Sequence, residues 1–292
     1  MRVYGEGSVI RNNIFDGTAQ GSTGYGSAIA SSSASPTIDG NIFTNYQCTL
    51  VYSTGVVTLF NLSAPRVTNN IFRDNSCRAI NVIMPFQGSP WVINNTFVRN
   101  TIAIRVDRRI DSSNQVYRNN ILVNNGIGFE VGSGTDAFNP VWENNLVYGN
   151  GVDYDVVSDL TGVAGNISID PQFLDQDAYD FRLQAISPAI DAGSNVNVPQ
   201  SDFDGNARPM DGDNDGFASV DIGAYESEKV CPIPNGSVHG LQSVNVRCSN
   251  LTTGQHIDFK LQEGINNWGC VENGLKVNPK DRVVIEINGV TQ

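Results

Sequence analysis

The chain of 292 residues is acidic, with 30 Asp and Glu residues against 18 Lys and Arg residues and a formal net charge of −12. This balance argues against partners that are bound through their own negative charge, which excludes nucleic acids and anionic membranes. The sequence contains no apolar stretch of about 18 residues, so it predicts no membrane span. At this length the chain can form one long repeat array or two domains.

One asparagine recurs along the first part of the chain in a short, constant context. The residue three positions before it is apolar, and the residue after it is nearly always branched. The recurring residues are Asn13, Asn41, Asn70, Asn95, Asn120, Asn145 and Asn166. Their intervals are 28, 29, 25, 25, 25 and 21 residues. A period of this length predicts a repeat protein.

Each repeat is rich in Val, Ile, Thr and Phe and is interrupted by Gly, Asn and Ser, which predicts strands and turns instead of helices. About 25 residues accommodate roughly three strands and three turns. We therefore predict an all-β fold that begins with a right-handed parallel β-helix of about seven coils. Stacked coils would place each asparagine above the next, so that their side-chain amides can form hydrogen bonds along the stack.

Alternation along a second strand of each repeat predicts which residues face the core. Counting from the asparagines predicts that Asn81 faces inward, whereas Ile80 and Val82 face outward. The same count places Cys48 and Cys77 one above the other in adjacent coils. They are either two buried thiols or a disulfide.

Charged residues at outward positions form the candidate functional site. Arg105, Glu130 and Asp155 occupy one position in consecutive coils and are predicted to stack in steps of about 4.8 Å. In a catalytic interpretation, Arg105 acts as a base or binds a substrate carboxylate, and Glu130 and Asp155 form an acid/base pair. In a structural interpretation, the three form a solvent-exposed charge ladder that contributes at most about 1 kcal/mol per pair. The candidate substrate-binding residues are Arg78, Asp107, Arg108, Arg109 and Asp153.

A possible calcium loop lies in the acidic segment that follows the repeats. Asp211, Asp213 and Asp215 alternate before a glycine at the sixth position, which is the spacing of oxygen ligands in an EF-hand-like loop. Position 12 is Ile222 instead of Glu, and Asp221 would substitute. We therefore predict that these four aspartates bind a structural calcium ion, with a solvated acidic turn as the alternative.

The composition changes again near residues 232–234. Residues 229–292 contain all four lysines and both histidines. Alternating stretches at 244–248, 257–261 and 283–287 predict antiparallel strands. We predict two domains. These are a β-helix at residues 1–228, with an acidic closure at 170–228, and a small antiparallel β-sandwich at residues 229–292.

The acidic segment carries the most specific resemblance to known proteins. It contains the phrases SPAIDAG, at residues 187–193, and DIGAYE, at residues 221–226. Through residues 9–226 the chain resembles bacterial surface proteins with parallel β-helix repeats, the pectate-lyase-like group often labelled choice-of-anchor proteins. In that group this segment follows the last coils, and the resemblance implies a structural closure and no catalytic centre there.

The fold that this resemblance implies is shared with pectate, alginate and chondroitin lyases and with polygalacturonase-like glycoside hydrolases. Residues 1–228 contain neither Lys nor His, so the lysine base of chondroitinase-type lyases is absent and a lyase mechanism would require Arg or Tyr. One hypothesis is an enzyme that processes polysaccharide in a groove along the coils, with a raised carboxyl pKa. The other is a non-catalytic, calcium-stabilised surface, adhesion or anchoring module with an evenly solvated strip.

Both hypotheses place the protein outside the cell or at the cell surface, with a polysaccharide or a cell-surface glycan as its partner. Abundant Asn, Gly and Ser with few Lys favour this location. Residues 1–5 lead directly into the first repeat without a signal peptide, so we expect a trimmed N-terminus.

Overall fold

The computed structural model forms two compact units. The first includes residues 1–212 and 216–228, and the second includes residues 213–215 and 229–292. The described residues are 1–4, 7–19, 27–48, 54–60, 64–83, 89–107, 115–132, 140–155, 158–213, 216–227, 243–250, 254–262, 283–287 and 290–291.

The first unit is a parallel β-solenoid whose coils contribute short strands to three sheets, here called A, B and C. Sheet A contains β1 (Arg2–Val3), β4 (Ile29–Ser32), β7 (Val57–Phe60), β10 (Arg78–Ile83), β13 (Ile102–Val106), β16 (Ile127–Val131) and β19 (Val152–Asp155). Sheet B contains β2 (Val9–Arg11), β5 (Thr37–Asp39), β8 (Arg66–Thr68), β11 (Trp91–Ile93), β14 (Val116–Arg118) and β17 (Val141–Glu143). Sheet C contains β3 (Ile14–Asp16), β6 (Ile42–Thr44), β9 (Ile71–Arg73), β12 (Thr96–Val98), β15 (Ile121–Val123) and β18 (Leu146–Tyr148).

The predicted all-β repeat architecture is confirmed by these parallel sheets. In the described part of the chain, helical structure is limited to a short 3₁₀ turn at Gly17–Ala19. The predicted number of about seven coils is not confirmed, because two of the three sheets contain six strands.

Asparagine makes the corner between sheets B and C. The residue before each ladder asparagine has a positive φ at Asn12, Asn69, Asn94, Asn119 and Asn144, with values from 50° to 57°. Short polar side chains tolerate this left-handed conformation better than most residues because they form local hydrogen bonds. The Asn-Asn pairs in the sequence therefore specify a sharp turn at the same point of each coil.

The ladder asparagines bond from coil to coil, as predicted. Each Nδ2 donates to the Oδ1 of the next ladder asparagine at 3.0–3.2 Å, from Asn13 to Asn166. A second row runs from Asn75 to Asn150 with distances of 2.7–2.9 Å. These bonds satisfy amides that would otherwise be buried without partners.

The solenoid core is filled by stacked aromatic and aliphatic side chains. Phe15, Phe43, Phe72 and Phe97 form a column with ring centroids 4.6–4.9 Å apart. Between adjacent coils, Cys48 and Cys77 form a disulfide with their Cα atoms 5.2 Å apart. The structure therefore selects the disulfide over the pair of free thiols.

The register of β10 differs by one residue from the prediction. Asn81 pairs with Arg105, and Ile80 pairs with Ile104. Ile80 and Val82 belong to the hydrophobic core, so their predicted outward orientation is wrong. Asn81 is fully buried but lies in the row of Arg105. The interval from Asn81 to Arg105 is 24 residues, whereas the asparagines of the second row at this level are 25 apart. One additional residue in the corner before β10 shifts each side chain of this strand to the opposite face.

The acidic segment 170–227 packs along the solenoid, and its antiparallel hairpin consists of β20 (Phe173–Asp175) and β21 (Asp180–Leu183). Its apolar side chains form a cluster with residues of sheet C such as Ile121 and Leu146. The corner asparagines of four successive coils donate to its backbone carbonyls at 2.9–3.0 Å. These bonds join Asn69 to Ser201, Asn94 to Asp221, Asn119 to Ser194 and Asn144 to Ala192. The segment, which we call the closure, is thus held against the side of the coils.

The described strands of the second unit form one antiparallel sheet. They are β22 (Ser243–Asn250), β23 (His256–Gln262), β24 (Val283–Ile287) and β25 (Val290–Thr291), in the order β23-β22-β24-β25. The three predicted strands are confirmed. The second sheet that a sandwich requires is not found among the described residues of this unit.

Candidate functional site

A row of polar side chains occupies one position on four successive strands of sheet A. Asn81 pairs with Arg105, Arg105 with Glu130, and Glu130 with Asp155. We call these four residues the strip. The predicted stacking of Arg105, Glu130 and Asp155 is confirmed. Asn81 was missed because counting from the asparagine ladder did not register the additional residue before β10.

Arg105 lies at the centre of the strip and is only 8% exposed. Its Nη1 donates to Asp107 Oδ1 at 2.5 Å and to Asn81 Oδ1 at 3.3 Å, and its Nε donates to Glu130 Oε1 at 3.3 Å. A Cβ atom on Gly132 would lie 2.8 Å from Arg105 Nη2, so glycine leaves room for the guanidinium. The predicted solvent-exposed ladder is therefore wrong at Arg105, whose charge is enclosed by two carboxylates.

Two buried atoms of the strip have no hydrogen-bond partner in the part of the chain that the structure describes. They are Asn81 Nδ2 and Glu130 Oε2. The orientation of the Asn81 amide is set by Arg105, because a guanidinium only donates and requires the amide oxygen to face it. Asn81 thus presents an unused donor and Glu130 an unused acceptor at the same guanidinium.

Other predicted residues lie beside the strip or outside it. Asp107 lies beside the strip and forms an ion pair with Arg105. Asp153 Oδ1 accepts the Asn150 amide at 2.8 Å and ends the second asparagine row, which is a structural role. Arg78 pairs with Ile102 and so lies outside the row that contains Arg105. Arg108 and Arg109 lie outside the described residues.

Comparison with known families agrees with the coil geometry. Residues 2–169 match the family model described as a right-handed β-helix region. The chain belongs to the right-handed β-helix family. The match covers the coils of this β-helix protein and ends before the closure, which begins at residue 170. No curated protein and no solved structure matches the chain. Where the chain is described, it has no helix long and apolar enough to cross a membrane.

The predicted calcium ligands of the β-helix protein fall into different surroundings. One carboxylate oxygen from each of Asp191, Asp211 and Asp213 lies within 4.8 Å of the other two. Asp221 is instead engaged by the backbone, because it accepts the N–H groups of Asp191 at 2.8 Å and Ser227 at 2.6 Å. Asp215 lies outside the described residues. Asp191 was missed because it precedes the loop by 20 residues and shares no local spacing with it.

The closure contains a buried charge network that sequence reasoning also missed. Arg208 donates to Glu226 Oε1 and to the carbonyl of Gly223, the latter at 3.0 Å. Burial raises the pKa of Asp221 to about 6 and that of Glu226 to about 8, although Arg208 opposes both shifts. The sequence signal was Arg208, the only basic residue between Asp202 and Glu226. Asp221 and Glu226 are the first and last residues of the DIGAYE phrase. Their contacts in the network give this phrase a structural role.

Proposed function

We propose that this member of the right-handed β-helix family is an exported protein that binds polysaccharide along the strip without cleaving it. The observation that carries the proposal is the set of contacts around Arg105, which is held by Asp107, Glu130 and Asn81. A general base must accept a proton, and a carboxylate clamp must be free to meet its substrate. A guanidinium enclosed by two carboxylates meets neither requirement, so the strip supports recognition better than lyase chemistry.

A polymer fits the arrangement of the strip better than a compact ligand does. The four side chains occupy one position on successive strands, which are spaced by about 4.8 Å, so hydrogen-bonding groups extend along the solenoid axis. Membership of the β-helix family is consistent with a protein that acts on polysaccharide or serves at a surface. In this proposal the second unit serves for display or anchoring.

Export is supported by the disulfide between Cys48 and Cys77. Disulfides persist in oxidising compartments and are rare in reducing ones. The resemblance of the SPAIDAG and DIGAYE phrases to those of bacterial surface proteins favours the same location. We therefore place the protein outside the cell or at its surface.

Calcium binding stays a prediction from the spacing of Asp211, Asp213 and Asp215. We propose that Asp191, instead of Asp221, completes the oxygen ligands. Hard cations such as calcium bind through carboxylate and carbonyl oxygens, so the donor set is chemically suitable. The proposed role is structural, because these residues belong to the closure and not to the strip.

A polysaccharide hydrolase is the second candidate function. Glu130 and Asp155 are register partners on adjacent strands, whose backbones are spaced by about 4.8 Å. Two carboxyl groups at about this distance are found in retaining glycoside hydrolases. In this interpretation Glu130 and Asp155 are the acid/base pair and Arg105 orients Glu130.

Incubation with neutral and acidic polysaccharides, with and without calcium, separates the two candidates. Binding would be measured by affinity electrophoresis, and cleavage by unsaturated products and new reducing ends. We expect retarded migration without products. Product formation that disappears in Glu130→Gln would replace our proposal with the hydrolase. Migration unchanged by every polysaccharide would contradict both.

A further inference from the structure

We infer that Arg66, on the outer face of sheet B, binds the carboxylate of an acidic sugar residue, and that Trp91 and the closure fix the orientation of its guanidinium. The inference rests on the proposed polysaccharide binding and adds a second contact outside the strip, because the strip belongs to sheet A. Arg66 lies in β8 and Trp91 in β11, where the two residues are register partners.

The charge of Arg66 is not neutralised by any carboxylate of the described residues. Asp39, on the neighbouring strand β5, accepts Arg11 Nε at 2.8 Å and Thr68 Oγ1 at 2.6 Å, so it is already engaged. Ion pairs within the first unit involve the arginines at seven other positions, namely Arg11, Arg73, Arg99, Arg105, Arg118, Arg182 and Arg208. Arg66 therefore retains a positive charge that a ligand can neutralise.

Two contacts orient the guanidinium of Arg66 without removing its charge. Nη2 donates to the carbonyl oxygen of Asn197 at 3.0 Å, and Cζ lies 4.7 Å from the centroid of the Trp91 ring. A cation over an aromatic face is attracted by the ring and keeps its charge. A guanidinium carries five N–H donors, and the described hydrogen bonds use one of them. The remaining donors can therefore meet a ligand in a fixed orientation.

Arg118 provides an internal comparison, because it holds the same part of the closure. Its Nη1 donates to the carbonyl oxygen of Val196 at 2.7 Å, one residue before the carbonyl that Arg66 contacts. Arg118 is only 7% exposed, and its Nε pairs with Glu143 at 2.5 Å. Arg66 is instead exposed. Holding the closure requires neither exposure nor an unpaired charge, so both properties of Arg66 are available to a ligand.

A carboxylate carried by a sugar ring fits these properties. Guanidinium and carboxylate groups match in planar geometry and can form two parallel hydrogen bonds, whereas a neutral hydroxyl leaves the charge of Arg66 uncompensated. Trp91 is partly exposed and places apolar surface beside this charge, which suits the C–H groups of a pyranose ring. The net charge of −12 opposes binding only weakly, because charges more than about 8 Å away are largely screened at physiological salt.

Isothermal titration of the full chain tests the inference with three probes. Hexagalacturonate carries the carboxylates, its fully methyl-esterified form keeps the sugar rings without the charge, and hexaglutamate carries carboxylates without sugars. Arg66→Gln removes the charge of the proposed site. Arg11→Gln is the matched control, because Arg11 is also exposed on sheet B but pairs with Asp39. Thermal unfolding establishes that each variant is folded.

We expect Arg66→Gln to weaken the binding of hexagalacturonate about 10-fold and to leave that of the methyl ester unchanged, with no effect of Arg11→Gln. A lower Tm of Arg66→Gln with unchanged affinity for hexagalacturonate would overturn the inference and leave Arg66 as a contact of the closure alone. Equal affinity for hexaglutamate would overturn the sugar as the ligand class.

The same titrations separate this inference from the proposed function. Binding of the methyl ester or of another neutral polysaccharide, without binding of hexagalacturonate, would overturn the uronate site and leave polysaccharide binding intact. The absence of binding to every neutral and acidic polysaccharide would contradict the proposed function itself.

Discussion

Two arginines of the first unit are each surrounded by carboxylates, but the carboxylates are held differently. In the closure, Asp221 and Glu226 contact backbone N–H groups in addition to facing Arg208. In the strip, Glu130 is held by Arg105 through a contact between side chains, and its second oxygen has no partner in the described structure. Carboxylates bound to backbone stabilise one path of the chain.

The largest expected effect comes from removing the arginine of the closure. Arg208→Met leaves the buried carboxylates of Asp221 and Glu226 without their cation, which destabilises the fold by about 3–5 kcal/mol. Arg182→Met is the control, because Arg182 pairs with Asp180 at the surface and such pairs contribute about 0–1 kcal/mol. Denaturant unfolding measures both. Equal losses in the two variants would remove the structural role that we assign to the closure network.

A second pair of variants compares how much a ladder asparagine and Asn81 of the strip each contribute to stability. Asn95→Ala deprives Asn70 of the oxygen that accepts both its backbone N–H and its side-chain amide, and we expect a loss of about 3 kcal/mol. Asn81→Ala removes an unsatisfied donor and one bond to Arg105, so its loss should stay within about 1 kcal/mol. Denaturant unfolding gives the order, and a larger loss for Asn81→Ala would show that this amide is structural.

The buried carboxyl groups of the closure should make the stability of the fold depend on pH. The folded-state pKa values of Asp221, about 6, and Glu226, about 8, lie above those of the unfolded chain. The folded closure therefore retains protons that the unfolded chain releases, and this contribution to stability is present at about pH 4 and lost as the pH rises towards 8. We expect the free energy of unfolding to fall over this range. Glu226→Gln should flatten the upper part of the decline, whereas a rise from pH 5 to 8 would contradict ionisation coupled to folding of the closure.

The smallest expected effect is that of calcium on the closure. If Asp211 and Asp213 bind calcium, saturating the site should stabilise the fold by about 1 kcal/mol or more, which corresponds to about 2–4 °C in Tm. Thermal unfolding with calcium and with chelator measures this difference, and Asp211→Asn with Asp213→Asn should abolish it. A Tm that is indifferent to chelator in the unmodified chain would exclude these residues as ligands.

Much of the fold was predictable because the ladder asparagines recur at similar intervals, so the other positions of each coil can be counted from them. The ladder asparagines specified the coils, and the predicted bonds between them occur from Asn13 to Asn166. Arg105, Glu130 and Asp155 were placed in one row because no residue is added between their coils. The prediction failed at Asn81, where one additional residue in a corner reverses the two faces of the strand. A count along the chain has no information about such a local change.

By itself, the sequence determined the solenoid, its ladders and the row of charged residues, because these depend on spacings repeated many times over short distances. Only the tertiary structure decided which contacts the charged residues make. The enclosure of Arg105, the joining of Asp191 with the acidic loop and the contact of the closure with the corner asparagines all bring together residues from separate parts of the chain. Such contacts depend on packing between segments, which no local pattern of residue types specifies.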